Sequence, residues 1–473
     1  MKILPNQRRV LLAALLAGAA LRLMTMVYPQ LWLDEIIQIQ RFDHPSLEEA
    51  LQDLRTETAP APLDFILQRL FLRMLGPSEA GARLHATLCG LLSLAAIFLL
   101  AREIGRIIPA GDSGTSSQDW RSHFPAAALF LLAFFPLHVF YSGEGRPYSL
   151  FFLLTVTSFW LLLRALRLHS AAGEGRLAWA AYAGALAAAL YTSYQGAVVT
   201  ALQAGWAGFL WLRPRFEGKT AARAAWISQA TALLLFSPWL FWTYSRTRDR
   251  FREEILSLDF FKRLIQESSG GSWPLSLLLM ALGVWGFCKL YRRGARRALS
   301  LLGLWLAGGL AAVLFLDAWR GYFFAARQAL FLAPAGLLAA ALGWSLSRRL
   351  RRSLLVPLLI AALGAGTVIL SQRKQEADWI ALAALLRQQV QTGDRIAAPG
   401  IYRVLAFRYP QVNSRHIALE ELLEGEDLAG RVLLIRSPYL DSETERQVER
   451  CLQRYPPIRQ LRAPGFTVYV LPG

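Results

Sequence analysis

Asp34 and Glu35 stand side by side in the stretch LWLDEIIQIQ (31–40), directly after the first strongly apolar segment of the chain. A carboxylate aligned on a hydroxyl can take its proton as that oxygen attacks, which contributes about 10² to 10⁴ in rate. The other residues suited to chemistry are cationic. The stretch FYSGEGRPYSL (140–150) sets Glu144, Arg146 and Tyr148 in a tight turn, with Pro147 placed to open the next helix. Arg83 and Arg327 also stand at helix entrances. Guanidinium groups are permanently charged and bind phosphate oxygens bidentately, so they suit a leaving group that departs as a phosphate anion.

The elements that must position these groups are helices in lipid. With 55% hydrophobic residues, 15 Trp and 26 Phe in 473 residues, the chain carries more apolar surface than one soluble core buries. The apolar residues fall into eleven blocks, near 9–27, 83–101, 123–140, 148–166, 177–194, 196–212, 224–243, 273–290, 299–316, 328–346 and 353–370. Each is close to the roughly twenty residues that cross a hydrocarbon layer as a helix. The fold class expected is therefore a polytopic α-helical membrane protein with about eleven transmembrane helices.

The net charge of +18 follows from this architecture and does not indicate a nucleic-acid partner. The basic residues cluster in short links, such as Arg102 with Arg106, Arg292 with Arg293, Arg296 and Arg297, and Arg348 to Arg352. With eleven spans all of these clusters fall on one side, as cytoplasmic loops require. The N-terminus is then cytoplasmic. The loop 28–82, the turns near 141–147, 191–196 and 317–327, and the loop 244–272 are external. The run from Ala61 to Gly76 is read as an amphipathic helix in the interface, Arg22 as a residue that snorkels from the first span, and Arg246, Arg248, Arg250 and Arg252 as a headgroup-facing patch. No small-residue cleavage site follows Val27, so the first segment is read as a retained helix. Cys89, Cys288 and Cys451 show no metal or disulfide spacing.

After Leu370 the pattern changes. Helices are expected at 376–391, 400–408 and 442–454, and strands at 394–398, 431–437, 457–463 and 466–471. The chain divides into a transmembrane domain, 1–370, and a small extracytoplasmic α/β domain, 371–473.

Six stretches together carry a resemblance: LWLDEIIQIQ (31–40), APAPLDFILQRLFLRMLGPSEAGARLHATLCGLL (59–92), HVFYSGEGRPYSLFFLL (138–154), LYTSYQG (190–196), AARQALFLAPAGLL (325–338) and ADWIALAALLRQQVQTGDRI (377–396). In order and spacing they resemble bacterial glycosyltransferase family 39 proteins of the GT-C fold, related to protein O-mannosyltransferases and lipid A aminoarabinose transferases. The resemblance implies an inverting enzyme of the bacterial inner membrane. Such an enzyme takes a sugar from a polyprenyl-phosphate carrier and gives it to a protein, lipid or glycan acceptor on the external face. It implies Asp34 as general base, with Glu35 supporting it or holding a cation. Arg83, Arg146, Arg327 and Tyr148 are then the donor-phosphate residues and Glu144 a supporting acid. A divalent metal is a possible cofactor, with Asp34 and Glu144 as candidate ligands. Ser193 and Tyr194 stand where family members often carry a His, and Pro60-Ala61-Pro62-Leu63 replaces the usual paired prolines, which leaves metal use open.

The competing reading is a transporter or flippase of polyprenyl-linked lipid. Transport predicts broken helices and ionisable groups near mid-membrane. The deep spans are nearly free of acids, and polar groups collect at one surface, which favours surface chemistry.

Overall fold

The computed structural model describes residues 5–27, 30–41, 43–57, 60–76, 78–109, 117–169, 175–213, 218–243, 262, 265–266, 269–320, 326–371, 378–424 and 430–472. Contacts divide the chain into two compact units: Met1–Val27 with His44–Ser371, and Tyr28–Asp43 with Gln372–Gly473. The segment 28–43, read from the sequence with the membrane domain, groups by its contacts with the tail.

Helices are numbered in chain order across both units. The first unit contains α1 (Pro5–Val27), then, beyond α2 (Leu33–Arg41) of the second unit, α3 (Leu47–Glu57), α4 (Leu63–Leu75), α5 (Glu79–Ile107), α6 (Ser117–Ala133), α7 (Pro136–Ser142) and α8 (Tyr148–His169). It continues with α9 (Arg176–Thr192), α10 (Gly196–Trp211), α11 (Lys219–Thr243), α12 (Trp273–Arg292), α13 (Arg296–Gly303), a π-turn (Leu304–Gly308) and α14 (Gly309–Arg320). A 3-10 turn (Ala326–Leu332) leads into α15 (Ala333–Ser345), α16 (Arg348–Arg352) and α17 (Leu355–Ser371).

Every one of the eleven apolar blocks is helical. By length and composition, however, six runs among the described residues can cross a membrane, or seven if the bent pair α6 and α7 is one span. The difference from eleven lies in short helices. α9 and α10 have 17 and 16 residues, and the apolar parts of α1 and α17 cover Leu11–Val27 and Leu355–Ile369.

The α6–α7 break has a local cause. Pro136 has no N–H to bond the Leu132 carbonyl, and the two helices meet at 63°. Arg22 of α1 takes up the slack: its Nη2 donates to Leu132 O at 3.0 Å and its Nη1 to Ala133 O at 3.3 Å and Gly18 O at 2.9 Å. Nη2 also lies 2.8 Å from His138 Nδ1, which must therefore accept, leaving the ring proton on Nε2. Arg22 is wholly buried, so it does not snorkel. The broken helix supplies the carbonyls that make a buried guanidinium tolerable.

α4 lies within the run read as an amphipathic helix. Its buried residues are Asp64, Phe65, Gln68 and Arg69, whereas Leu70, Met74 and Leu75 are exposed. The polar side faces the protein and the apolar side faces outward. Inside the unit, Glu103 of α5 accepts from Arg167 of α8 through Nε and Nη2 at 3.1 and 3.2 Å and also pairs with Arg106, tying the two helices together.

α12 and α15 pack at backbone distance. A Cβ on Gly286 would lie 1.9 Å from Ala339 O, and one on Gly343 would lie 2.0 Å from Leu282 O. Only glycine lets the backbones meet there. Gly343→Ala is therefore expected to force the pair apart and lower stability by about 1–3 kcal/mol, measured as a lower midpoint of thermal unfolding in detergent. An unchanged midpoint would show that the pair relaxes freely.

In the second unit, β1 (Arg395–Ala397), β2 (Val432–Arg436), β3 (Arg459–Ala463) and β4 (Phe466–Leu471) form one sheet in the order β1-β2-β4-β3. β1 pairs with β2 in parallel, and the other pairs are antiparallel. The helices are α18 (Trp379–Gln389), α19 (Tyr402–Arg408), α20 (Leu419–Glu424) and α21 (Ser442–Arg454). All four strands and three of these helices coincide with expected segments, and α20 was not expected. Val432, Leu434, Val448 and Cys451 lie in the core. The segment 28–43 joins this unit through α2, which packs on α19, and through Gln30, whose Nε2 donates to Asp378 Oδ1 at 2.8 Å. The Ala381 N–H, with Gln30, holds the Asp378 carboxyl below its ordinary range, as suits the N-cap of α18.

Candidate functional site

The turn that follows α7 is shaped by close approaches. A Cβ on Gly143 would lie 2.5 Å from Thr25 Oγ1, and one on Gly145 would lie 2.6 Å from Gln68 Nε2. The glycines of SGEGRP therefore let the chain pass against α1 and α4. Gln68 Nε2 donates to Gly145 O and to Ala82 O, each at 3.0 Å, which binds the turn to α4 and α5. Arg146 follows at once, and Tyr148 begins α8.

Arg146 and Arg327 converge on one ring. Their guanidinium carbons lie 6.0 and 5.8 Å from the centroid of Tyr148. The Arg327 side chain comes from the 3-10 turn before α15. Together they line a cleft of ≈160 Å³ whose remaining polar wall is the third turn, Thr192 to Gln195, with Gln328. The Tyr194 hydroxyl shares a hydrogen bond of 3.4 Å with Thr243 Oγ1, which steadies that turn against α11. Two cations, several hydroxyls and two amides line this cleft, with no carboxylate among the described lining residues. Such a lining suits an anion with several oxygen atoms.

Not every expected residue is gathered there. Arg83 is buried on α5, with its Nη1 3.3 Å from Met26 O, and does not line the cleft. Glu144 is half-buried in the turn and does not line it either. Asp34 and Glu35 belong to the second unit, in the first turn of α2. Glu35 is buried and accepts from the backbone N–H of Trp32 at 3.2 Å, half of a capping box, whereas Asp34 is half-buried. Arg246, Arg248, Arg250 and Arg252 lie outside the described residues.

Several polar pairings escaped sequence reasoning. His85 Nε2 lies 3.2 Å from Asp64 Oδ1, both fully buried between α5 and α4. The spacing of Asp64 and Gln68, one helical turn apart, was the available signal. His44 pairs with Asp53 at 3.5 Å. No group of three or more His, Cys, Asp or Glu side chains is drawn together among the described residues.

No protein-family model and no curated protein matches the chain. Solved structures do. ArnT from Cupriavidus metallidurans in the apo state superposes with a TM-score of 0.63 at 14% identity, covering 97% of each chain. The same protein bound to undecaprenyl phosphate gives 0.62 at 14% identity, again over 97% of each chain. The archaeal oligosaccharyltransferase AglB from Archaeoglobus fulgidus, in complex with an inhibitory peptide and a dolichol-phosphate, gives 0.57 at 13% identity over 95% of this chain and 68% of its own. At such identities the likeness speaks for architecture, and with the long apolar helices it identifies the chain as a multi-pass membrane protein of the GT-C fold.

Proposed function

We propose that the protein is an inverting glycosyltransferase. It moves a sugar from a polyprenyl-phosphate carrier to a protein, lipid or glycan acceptor on the external side of a bacterial cytoplasmic membrane. The observation that carries this reading is the cleft in which Arg146 and Arg327 meet over Tyr148. In support, one structure of this fold holds undecaprenyl phosphate and another a dolichol-phosphate.

In this mechanism the carrier phosphate lies between the two guanidinium groups, with the Tyr148 hydroxyl as a further donor. The bond from the anomeric carbon to the phosphate oxygen breaks as the acceptor oxygen attacks from the opposite face. Charge gathers on the departing phosphate, where fixed cations stabilise it most. Asp34 accepts the proton of an acceptor hydroxyl, and Glu35 fixes the start of the helix that carries it. Arg83 supports the chain at Met26, and Glu144 supports the turn of Arg146. An acceptor that is itself a phosphate needs no base, and Asp34 then orients it.

The broken helix α6–α7 and its buried Arg22 are features that transport leads one to expect. Here Arg22 satisfies the carbonyls that the break frees, which gives it a structural role, so the glycosyltransferase reading is preferred.

Asp34→Asn, made in cells and compared with wild type and a deletion strain by mass spectrometry of envelope glycans and glycolipids, tests the proposal. The variant is expected to reproduce the deletion profile at normal membrane abundance, with loss of about 10² to 10⁴ in transfer. A wild-type profile would remove Asp34 as base. Identical profiles in the deletion strain and wild type would remove the activity itself.

A further inference from the structure

Arg146 follows Gly143, Glu144 and Gly145, and the two glycines that let this turn pass against α1 and α4 also leave its backbone more freedom than other residues would. On the far side of Arg146 little freedom remains. Pro147 has a locked φ, disfavours helical backbone at the residue before it, and is tied to α8 by the N–H of Phe151, which donates to Pro147 O at 2.8 Å. The near side is held by a side chain. Gly145 O belongs to the peptide bond that enters Arg146, and it accepts from Gln68 Nε2 at 3.0 Å.

Gln68 reaches that carbonyl because α4 turns its polar side inward. The residue is 1% exposed, and its Nε2 gives its second hydrogen to Ala82 O, also at 3.0 Å. One turn earlier on the same face of α4, Asp64 Oδ1 meets buried His85 Nε2 at 3.2 Å, and His85 stands three residues beyond Ala82 on α5. Two polar contacts, one turn apart on each helix, therefore set α4 on α5 in the register that Gln68 requires. A Cβ on Gly145 would lie 2.6 Å from Gln68 Nε2 and 2.7 Å from Ala82 O, so amide and glycine are fitted to each other. Apolar packing alone could hold α4 on α5, but it is non-directional. Hydrogen bonds fix a direction, and this one is fixed at the entry to Arg146.

We infer that Gln68 is a positioning residue for the arginine cleft. It sets the peptide plane that enters Arg146, and with it the direction in which the guanidinium reaches Tyr148, 6.0 Å from the ring centroid. Gln68 is not among the described lining residues of the cleft, so it acts through Arg146 and does not touch the phosphate. This role presupposes the cleft as the site of the carrier phosphate. Placement of this kind matters because a displacement of about 1 Å in a site can cost about 10² in rate.

The full chain in neutral detergent is titrated with polyprenyl monophosphate, and the dissociation constant is read by native mass spectrometry for wild type, Arg146→Ala, Gln68→Met and the double variant. Arg146→Ala is expected to weaken binding about tenfold or more, the loss of one charge-assisted contact. Gln68→Met keeps the volume and removes both donors. It is expected to weaken binding about tenfold, within the coupling range of residues that share a network. The double variant is expected to bind no more weakly than Arg146→Ala, because Gln68 then has nothing left to place. Gln68→Asn, whose amide is one methylene shorter, should fall between wild type and Gln68→Met, and it carries the same cycle if Gln68→Met does not fold. Wild-type binding by Gln68→Met, or by Gln68→Asn in its place, would overturn the positioning role and leave the cleft standing as the phosphate site. A loss that multiplies with that of Arg146→Ala would do the same. Wild-type binding by Arg146→Ala would remove the cleft as the phosphate site, and the positioning role with it.

Discussion

Replacing Arg146 and Arg327 together by Ala should lower sugar transfer by at least about 10³-fold, since removing one preorganised donor to developing charge costs about 10² to 10³. Each single variant should fall within that lower range. The natural measurement is the rate at which a polyprenyl-phosphate-linked donor in proteoliposomes is converted to free polyprenyl phosphate. Lys at either position should recover only part of the rate, because an ammonium is a point charge and cannot bind phosphate bidentately. Tyr148→Phe separates two roles of the ring on which both cations converge. If the hydroxyl donates to phosphate, the rate falls. If the ring only steadies the guanidinium groups, it does not. A double Ala variant that transfers at the wild-type rate would show that the phosphate is bound elsewhere.

Arg22→Met should be the most destabilising single change in the membrane unit. Arg22 satisfies Leu132 O, Ala133 O and Gly18 O and binds His138 Nδ1. Met keeps much of the volume and none of the donors. Removing one partner from a buried polar cluster costs about 3–5 kcal/mol, and unsatisfied carbonyls contribute about 1–3 kcal/mol each to such a loss. Equilibrium unfolding in mixed micelles reads the change. Arg22→Lys should be intermediate, with three donors on one nitrogen in place of a planar fork. α7 leads into the turn of Arg146, so the folded fraction of Arg22→Met should also transfer more slowly. An unfolding midpoint equal to wild type would mean that water or a rearranged α7 takes over the carbonyls.

What could be read in the sequence follows the range of the forces involved. Apolar blocks are local, and all eleven are helical. The strands of the tail were legible for the same reason: alternation in FTVYVL needs no knowledge of its partner. Arg146, Tyr148 and Arg327 could be singled out because each stands at a helix entrance. That they share a ring could not, because the 3-10 turn and α8 are brought together by packing. Arg22 was misread for a similar reason. Whether an arginine near a helix end snorkels or turns inward depends on the break at Pro136, more than a hundred residues away. α4 shows that amphipathic spacing has no sign inside a membrane protein. The same pattern serves a helix with its polar side toward water or, as with Asp64 and Gln68, toward the protein.

The grouping of residues 28–43 with the tail has a consequence in time. α2 emerges from the ribosome early, and the unit it joins resumes only at Gln372. At about 5–20 residues per second the intervening chain takes some tens of seconds to synthesise. Throughout that interval Ile36 and Ile39, buried in the finished protein, have no tail to cover them. A truncated chain that stops before the tail leaves them permanently in that condition, which makes α2 a natural point of recognition for the chaperones and proteases that watch over nascent membrane proteins.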